Sequence, residues 1–197
     1  MPLALHLTAP PTPTATATAP TASAPATAPT SSTPAPAPLV QLPARPASGA
    51  WVLRADRLVF RDTRFRGVVR VRTAAGTVRV LKFTARSLNA LGLDVTTGRG
   101  RAALRMRARP ASTSTLQGRG GDGMVTLYVR SLSGSLHGRE ITLTPDAVPD
   151  WLSPTVSPAA PATPARTLTF AGATMSTLAQ FGGDLSLPGP EFRSTAG

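Results

Sequence analysis

From Trp51 to Ala85 the chain alternates apolar and charged residues with a period of two: WVLRADRLVFRDTRFRGVVRVRTAAGTVRVLKFTA. Side chains spaced this way fall on opposite faces of an extended chain, so the stretch reads as half-buried β-structure. Leu58 and Phe60 share one face, and Arg57, Val59 and Arg61 take the other. After a shift of phase, Phe65, Val69 and Val71 turn inward while Arg64, Arg66, Arg70 and Arg72 turn outward. Ala74, Ala75 and Gly76 read as a hairpin turn, followed by a return strand with Val78 and Val80 inward and Arg79 outward.

The same beat continues downstream. Leu91, Leu93 and Val95 alternate up to a turn at Thr97 to Gly100. A further strand would carry Arg101, Arg105, Arg107 and Arg109 on one face, opposite Ala102, Leu104, Met106 and Ala108, with Pro110 closing it. Residues 111–123 read as a polar, glycine-rich connection. Val125, Leu127, Val129, Leu132, Leu136, Ile141 and Leu143 then face inward, opposite serine and threonine. Pro145 to Pro164 is proline-rich and long for a connection, an excursion expected to be pinned by Trp151. Leu168 and Phe170 resume the strand pattern, and Leu185 and Leu187 form the last inward pair. No segment of ten or more residues has a helical period; SLNALGL and MSTLAQF admit one or two turns. The expectation is an all-β fold, a single antiparallel sandwich or open jellyroll over residues 50–190, with 191–197 as a tail.

Ahead of it, residues 10–48 are almost wholly Pro, Ala, Thr and Ser. Such a segment buries too little apolar surface to offset the entropy of ordering it. In the polyproline regime, at about 3.1 Å per residue, it reaches at most on the order of 100 Å. Residues 1–49 therefore read as a disordered stalk of the kind that spaces a domain from a membrane or wall. Met1 to Ala9 reads as the tail of a longer signal or anchor, the alternative being a plain disordered start. Both features favour an extracytoplasmic setting, in the cell envelope or secreted.

Charge sharpens this picture. The net charge is +12, and residues 50–110 hold fourteen arginines and Lys82 against Asp56, Asp62 and Asp94. The remainder of the chain is near neutral, so the excess belongs to the first part of the β-domain. Guanidinium groups grip phosphate and carboxylate in pairs, and an anion bridging a ladder of them would relieve their repulsion. Arg64, Arg66, Arg70, Arg72, Arg79, Arg105, Arg107 and Arg109 are thus the candidate anion-binding residues, taken to share one cationic face. The blander reading is a solvated face, rich in arginine through genome composition, whose charges keep sheet edges from aggregating.

Catalytic chemistry is poorly served. Gly118, Gly120 and Gly123 match a dinucleotide fingerprint, yet a strand pattern follows where that motif needs a helix. His137 is the only histidine of the domain, beside Gly138; a triad with Ser135 and Asp146 or Asp122 lacks a nucleophile elbow. There is no cysteine, and the acids have no metal-ligand spacing. Asp146 and Asp150 flank prolines and do not read as a glycosidase pair. Neither an enzyme nor a cofactor is expected. Nucleic acid is a poor partner, because Phe60, Phe65 and Phe83 read as core and Tyr128 lies elsewhere in sequence, so aromatics for base stacking are not interleaved with the arginines.

The motifs KFTARSL, STLQGRG, VTLYVRSLSG, ITLTPDAVPDWL and QFGGDLSLPG resemble those of a family of uncharacterised exported proteins from actinomycete-type bacteria, over residues 50–190. The resemblance implies an all-β exported domain and no catalytic residue. More loosely, the rhythm of ADRL followed by spaced glycine–valine pairs is similar to the open β-jellyroll of envelope lipid carriers. Three roles follow as expectations. The first is non-catalytic binding of an anionic polymer or phospholipid head groups through the arginine face. The others are a passive surface-displayed structural or adhesion module, and a lipid carrier with an apolar groove.

Overall fold

The structure, a computed structural model, describes residues 36–42, 51–98, 103–119, 123–152 and 165–194. Among these the fold is all-β with no helix. Twelve strands form one sheet. They are β1 (Leu39–Val40), β2 (Trp51–Thr73), β3 (Gly76–Ala85), β4 (Ser87–Leu91), β5 (Asp94–Thr97) and β6 (Leu104–Arg107). The others are β7 (Thr113–Gly118), β8 (Val125–Leu136), β9 (Arg139–Leu143), β10 (Arg166–Phe181), β11 (Gly183–Ser186) and β12 (Glu191–Ser194). All pairings between strands are antiparallel except β1 on β2.

The 23-residue β2 is the spine. The turn at Ala74–Ala75 sends the chain back along it, and β3, β4 and β5 pair in succession with the same edge. Along its other edge β2 pairs with β10. Since β10 also pairs with β8, and β8 with β3, the strands β2, β3, β8 and β10 close a ring. A wing extends from the ring: β4 and β5 pair with β7 and β6, which pair with β11 and β12 at the outer edge.

A strand this long can serve a closed ring only by bending, and its phase changes mark the bends. The buried positions of β2 pass from Leu53 and Ala55 to Leu58 and Phe60, then to Thr63 and Phe65. The second change falls at Asp62, which has a positive φ of 50°. A third falls at Gly67 (φ 91°), where β2 carries one extra residue between the pairs Phe65–Phe83 and Val68–Leu81. An inserted residue of this kind bends a strand and swaps the faces of everything beyond it.

The swap creates two cores. The main one gathers Leu53, Leu58, Phe60, Phe65, Phe83 and Phe170 with residues of β4, β7, β8 and β10. Its aromatic rings stack closely, with Phe65–Phe83 centroids 5.1 Å apart and Phe60–Phe170 meeting edge-on at 5.9 Å. The smaller one lies on the opposite face beyond Gly67 and comprises Val69, Val71, Val80, Tyr128, Leu178 and Ala179. Val40 and Leu42 pack against it, so residues read as stalk contribute a strand and a cover.

Several expectations change at the level of elements. The connection at 111–123 contains β7, whose Ser114 and Leu116 point inward opposite Ala90 and Leu88. MSTLAQF is strand, within the 16-residue β10. Leu152 is the buried anchor after β9, whereas Trp151 is 41% exposed. Leu185 is half exposed and not an inward residue. Residues 191–194, read as tail, pair with β6 as β12. His137 and Gly138, both at positive φ, make the two-residue turn between β8 and β9. Arg101, Gly120, Asp122 and residues 153–164 lie outside the described residues, as do residues 1–35 of the stalk.

Candidate functional site

Cross-strand rows build the site. Side chains at paired positions share a face, so apolar residues in register make apolar rows across the sheet. One row runs Phe60–Leu88–Leu116–Leu185 over β2, β4, β7 and β11. A second runs Leu53–Val95–Met106–Phe192 over β2, β5, β6 and β12. Both start in the main core and end exposed at the outer edge, Leu185 at 50% and Phe192 at 61%. The inner face of the wing is therefore apolar beyond the point where the ring covers it.

Between the rows lies a cavity of about 340 Å³. Trp51, Leu88, Leu93, Met106 and Met175 are among the side chains that line it, and Leu185 stands at its lip. Among the described residues no charged side chain lines it, and Ser114 and Gln180 bring polar ones. Ser114 is buried, and its Oγ has no hydrogen-bond partner.

The candidate arginines are not on one face, because the extra residue at Gly67 reverses the pattern. Arg64 and its partner Thr84 share a face with Arg66, whose Nε donates to Thr84 Oγ1 at 3.1 Å, and with Lys82. Lys82 Nζ stands 5.9 Å from the centroid of the Tyr128 ring, and burial pushes the Tyr128 phenol pKa up. Arg70, Arg72 and Arg79 lie on the other face, that of Leu81 and Phe83. Arg70 and Arg79 are directly paired, a repulsive arrangement that oxygen acceptors relieve. Arg70 Nε donates to the Ala37 carbonyl at 2.8 Å, while Arg79 bonds the Asp146 carboxylate and the Pro145 carbonyl.

Arg105 and Arg107 sit elsewhere again. They reach β2 only through β5, at Val52–Arg54, sixteen residues from Arg70, or about 50 Å of strand contour at ~3.3 Å per residue. Both bind Asp94. Arg105 Nε donates to Asp94 Oδ1 at 2.9 Å, Arg105 Nη2 also reaches the carboxylate, and Arg107 Nε lies 3.3 Å from Oδ2. The hydrogen bonds from Arg105 hold the Asp94 carboxyl below its ordinary range, against the opposing effect of burial. Arg109 follows β6 in a turn, not in a strand, where its amide donates to the Pro188 carbonyl at 3.1 Å.

Two functional residues escaped the sequence reading. Asp94 looked like one position in an alternating strand, though it is the only acid between Asp62 and Asp122, in the middle of a basic stretch. Ser114 looked like loop polarity in ASTSTLQG; its strand pairing with Ala90 turns it inward. Comparison with protein families, curated proteins and solved structures finds no match for this chain.

Proposed function

We propose that this domain is a non-catalytic binding module or carrier for an apolar ligand, held in the cavity on the inner face of the wing. The observation that carries the reading is the pair of apolar rows that leave the core and end uncovered at Leu185 and Phe192, with the uncharged cavity between them. Ligand sites are typically clefts of about 300–1,000 Å³ with apolar walls and few polar groups. The Pro/Ala/Thr/Ser composition of residues 10–48 and the resemblance to exported actinomycete-type proteins favour a place in the cell envelope. An envelope lipid or its acyl portion is the ligand class that suits such a place.

The test is chemical extraction of the purified full chain, with mass spectrometry for co-purifying lipid, joined to displacement of an environment-sensitive fluorescent probe. Ala90→Leu projects extra volume into the cavity from β4. It should lower probe affinity at least tenfold while leaving Tm unchanged or higher, since filling a void stabilises. Undiminished probe binding in that variant would place the ligand elsewhere.

A second reading keeps an anionic partner for the outer surface. The face with Arg64, Arg66 and Lys82 carries three cations, and their register partners Thr84 and Tyr128 bring no acid. Phospholipid head groups would meet that set alone, not all eight arginines. Sedimentation with anionic vesicles should then fall steeply between low and physiological salt. It should fall equally when Arg64 and Arg66 are replaced, and not when Arg105 and Arg107 are.

A further inference from the structure

We infer that two copies of this chain associate about a two-fold axis at Phe192, pairing the outer edge of β12 with itself. Among the described residues β12 pairs with β6 and with no other strand, and all four of its residues are exposed. The direction of its free backbone groups follows from β6. The Ala108 amide donates to the Leu93 carbonyl at 2.9 Å, in the register that pairs Asp94 with Arg107. Main-chain groups alternate from side to side along a strand, so Arg105 and Arg107 direct theirs at β12. Their register partners Glu191 and Arg193 answer them, which turns the N–H and C=O of Phe192 and the N–H of Ser194 outward. An edge of this kind is a template for a further strand.

The side chains select a second copy as that strand. Two cross-strand rows reach β12 on its charged face. Arg54–Asp94–Arg107–Glu191 alternates in sign, whereas Thr96–Arg105–Arg193 ends on two directly opposed cations. In antiparallel pairing centred on Phe192, Arg193 of the second copy continues the first row and Glu191 of the second copy closes the other. Both contacts fall at non-hydrogen-bonded pairs, where side chains approach most closely. On the opposite face Phe192, 61% exposed, meets its own counterpart. The two Phe192 backbones exchange hydrogen bonds, and the Ser194 amide donates to the Pro190 carbonyl across the axis, where no N–H is needed in return. A slip by two residues either way sets Glu191 against Glu191 or Arg193 against Arg193, so charge pins the register. Within one copy Arg193 Nη2 lies 3.4 Å from Glu191 Oε2, an exposed pair that contributes little and is readily exchanged. The contact is isologous and closes at two copies.

The experiment follows the full chain by sedimentation equilibrium from micromolar to millimolar concentration, since a contact this small gives a transient pair. The average mass should rise with concentration and level off at twice that of the monomer. Arg193→Glu and Glu191→Arg should each weaken dimerisation at least tenfold, because two ion pairs per dimer become repulsions. An equimolar mixture of the two variants should associate like wild type, each supplying the charges that the other lacks. A variant that had merely lost its fold would not be rescued in this way. Monomer at every concentration would overturn the inference, and so would association indifferent to Arg193→Glu, growth beyond the dimer, or a mixture no tighter than its components. The cavity plays no part in this pairing, so its reading stands or falls separately.

Discussion

Asp94 holds the basic end of the wing together. It faces Arg54 and Arg107 in the strand register and is bonded by Arg105, so one buried carboxylate offsets three neighbouring cations. Its pKa is lowered on folding, chiefly by the Arg105 hydrogen bonds. A carboxylate depressed in this way adds stability that is fully present above its unfolded value, near 3.9, and is lost as pH falls through the lower folded value. Asp94→Asn should therefore cost about 2 kcal/mol at pH 7 in urea unfolding, and the gap to wild type should shrink on going to pH 3 and below. A gap that stayed constant with pH would show that the carboxylate charge is not what matters. Ser114→Ala in the ligand-free protein should have the opposite sign, neutral or stabilising by about 1 kcal/mol, since it deletes a buried unbonded hydroxyl.

At the scale of the element, β2 shows how one inserted residue redistributes a surface. Nothing lies within 4 Å of where a Cβ on Gly67 would stand, so what calls for glycine there is its φ of 91°. Gly67→Ala should cost about 1–2 kcal/mol through that conformation alone. Deleting Gly67 should be far worse. It would bring Val69 and Val71 onto the face of Phe65 and turn Arg70 and Arg72 into the second core. Loss of cooperative unfolding is expected for the deletion, and a deletion no worse than the substitution would contradict the face swap. The same insertion explains the scattered arginines. A strict two-residue count puts Arg64, Arg66, Arg70 and Arg72 together, while the extra residue puts them on two faces.

For the whole molecule the decisive contact is the one that closes the ring, β2 with β10, where Trp51 pairs with Thr177 and Phe60 with Leu168. These pairs join the two ends of the domain, and such non-local pairings must be formed against loop-closure entropy. Refolding should be slow for a chain of this size, in the range of about milliseconds to seconds or longer. Tryptophan fluorescence and far-UV circular dichroism should report one shared unfolding transition, because the ring and wing share β2. The second core gives an independent check. Removing residues 1–42 takes away Val40 and Leu42 and should lower the urea midpoint while increasing the binding of a hydrophobic dye.

The all-β class, the hairpin at Ala74–Ala75, and the burial of Leu58, Phe60, Phe65 and Phe83 follow from local alternation, a property of the chain that any extended backbone expresses. The position of the turn at His137–Gly138 follows as locally, from glycine chemistry. Which face each arginine occupies does not follow, because a single bulge reverses parity and its presence depends on how β2 must bend to meet β3 and β10 at once. Nor does the cavity follow: Trp51, Met106, Ser114 and Met175 lie far apart in sequence and meet only through register across strands. Alternation reports which side of a strand a residue takes, whereas a binding site depends on which strands become neighbours, and that is settled by the closure of the sheet.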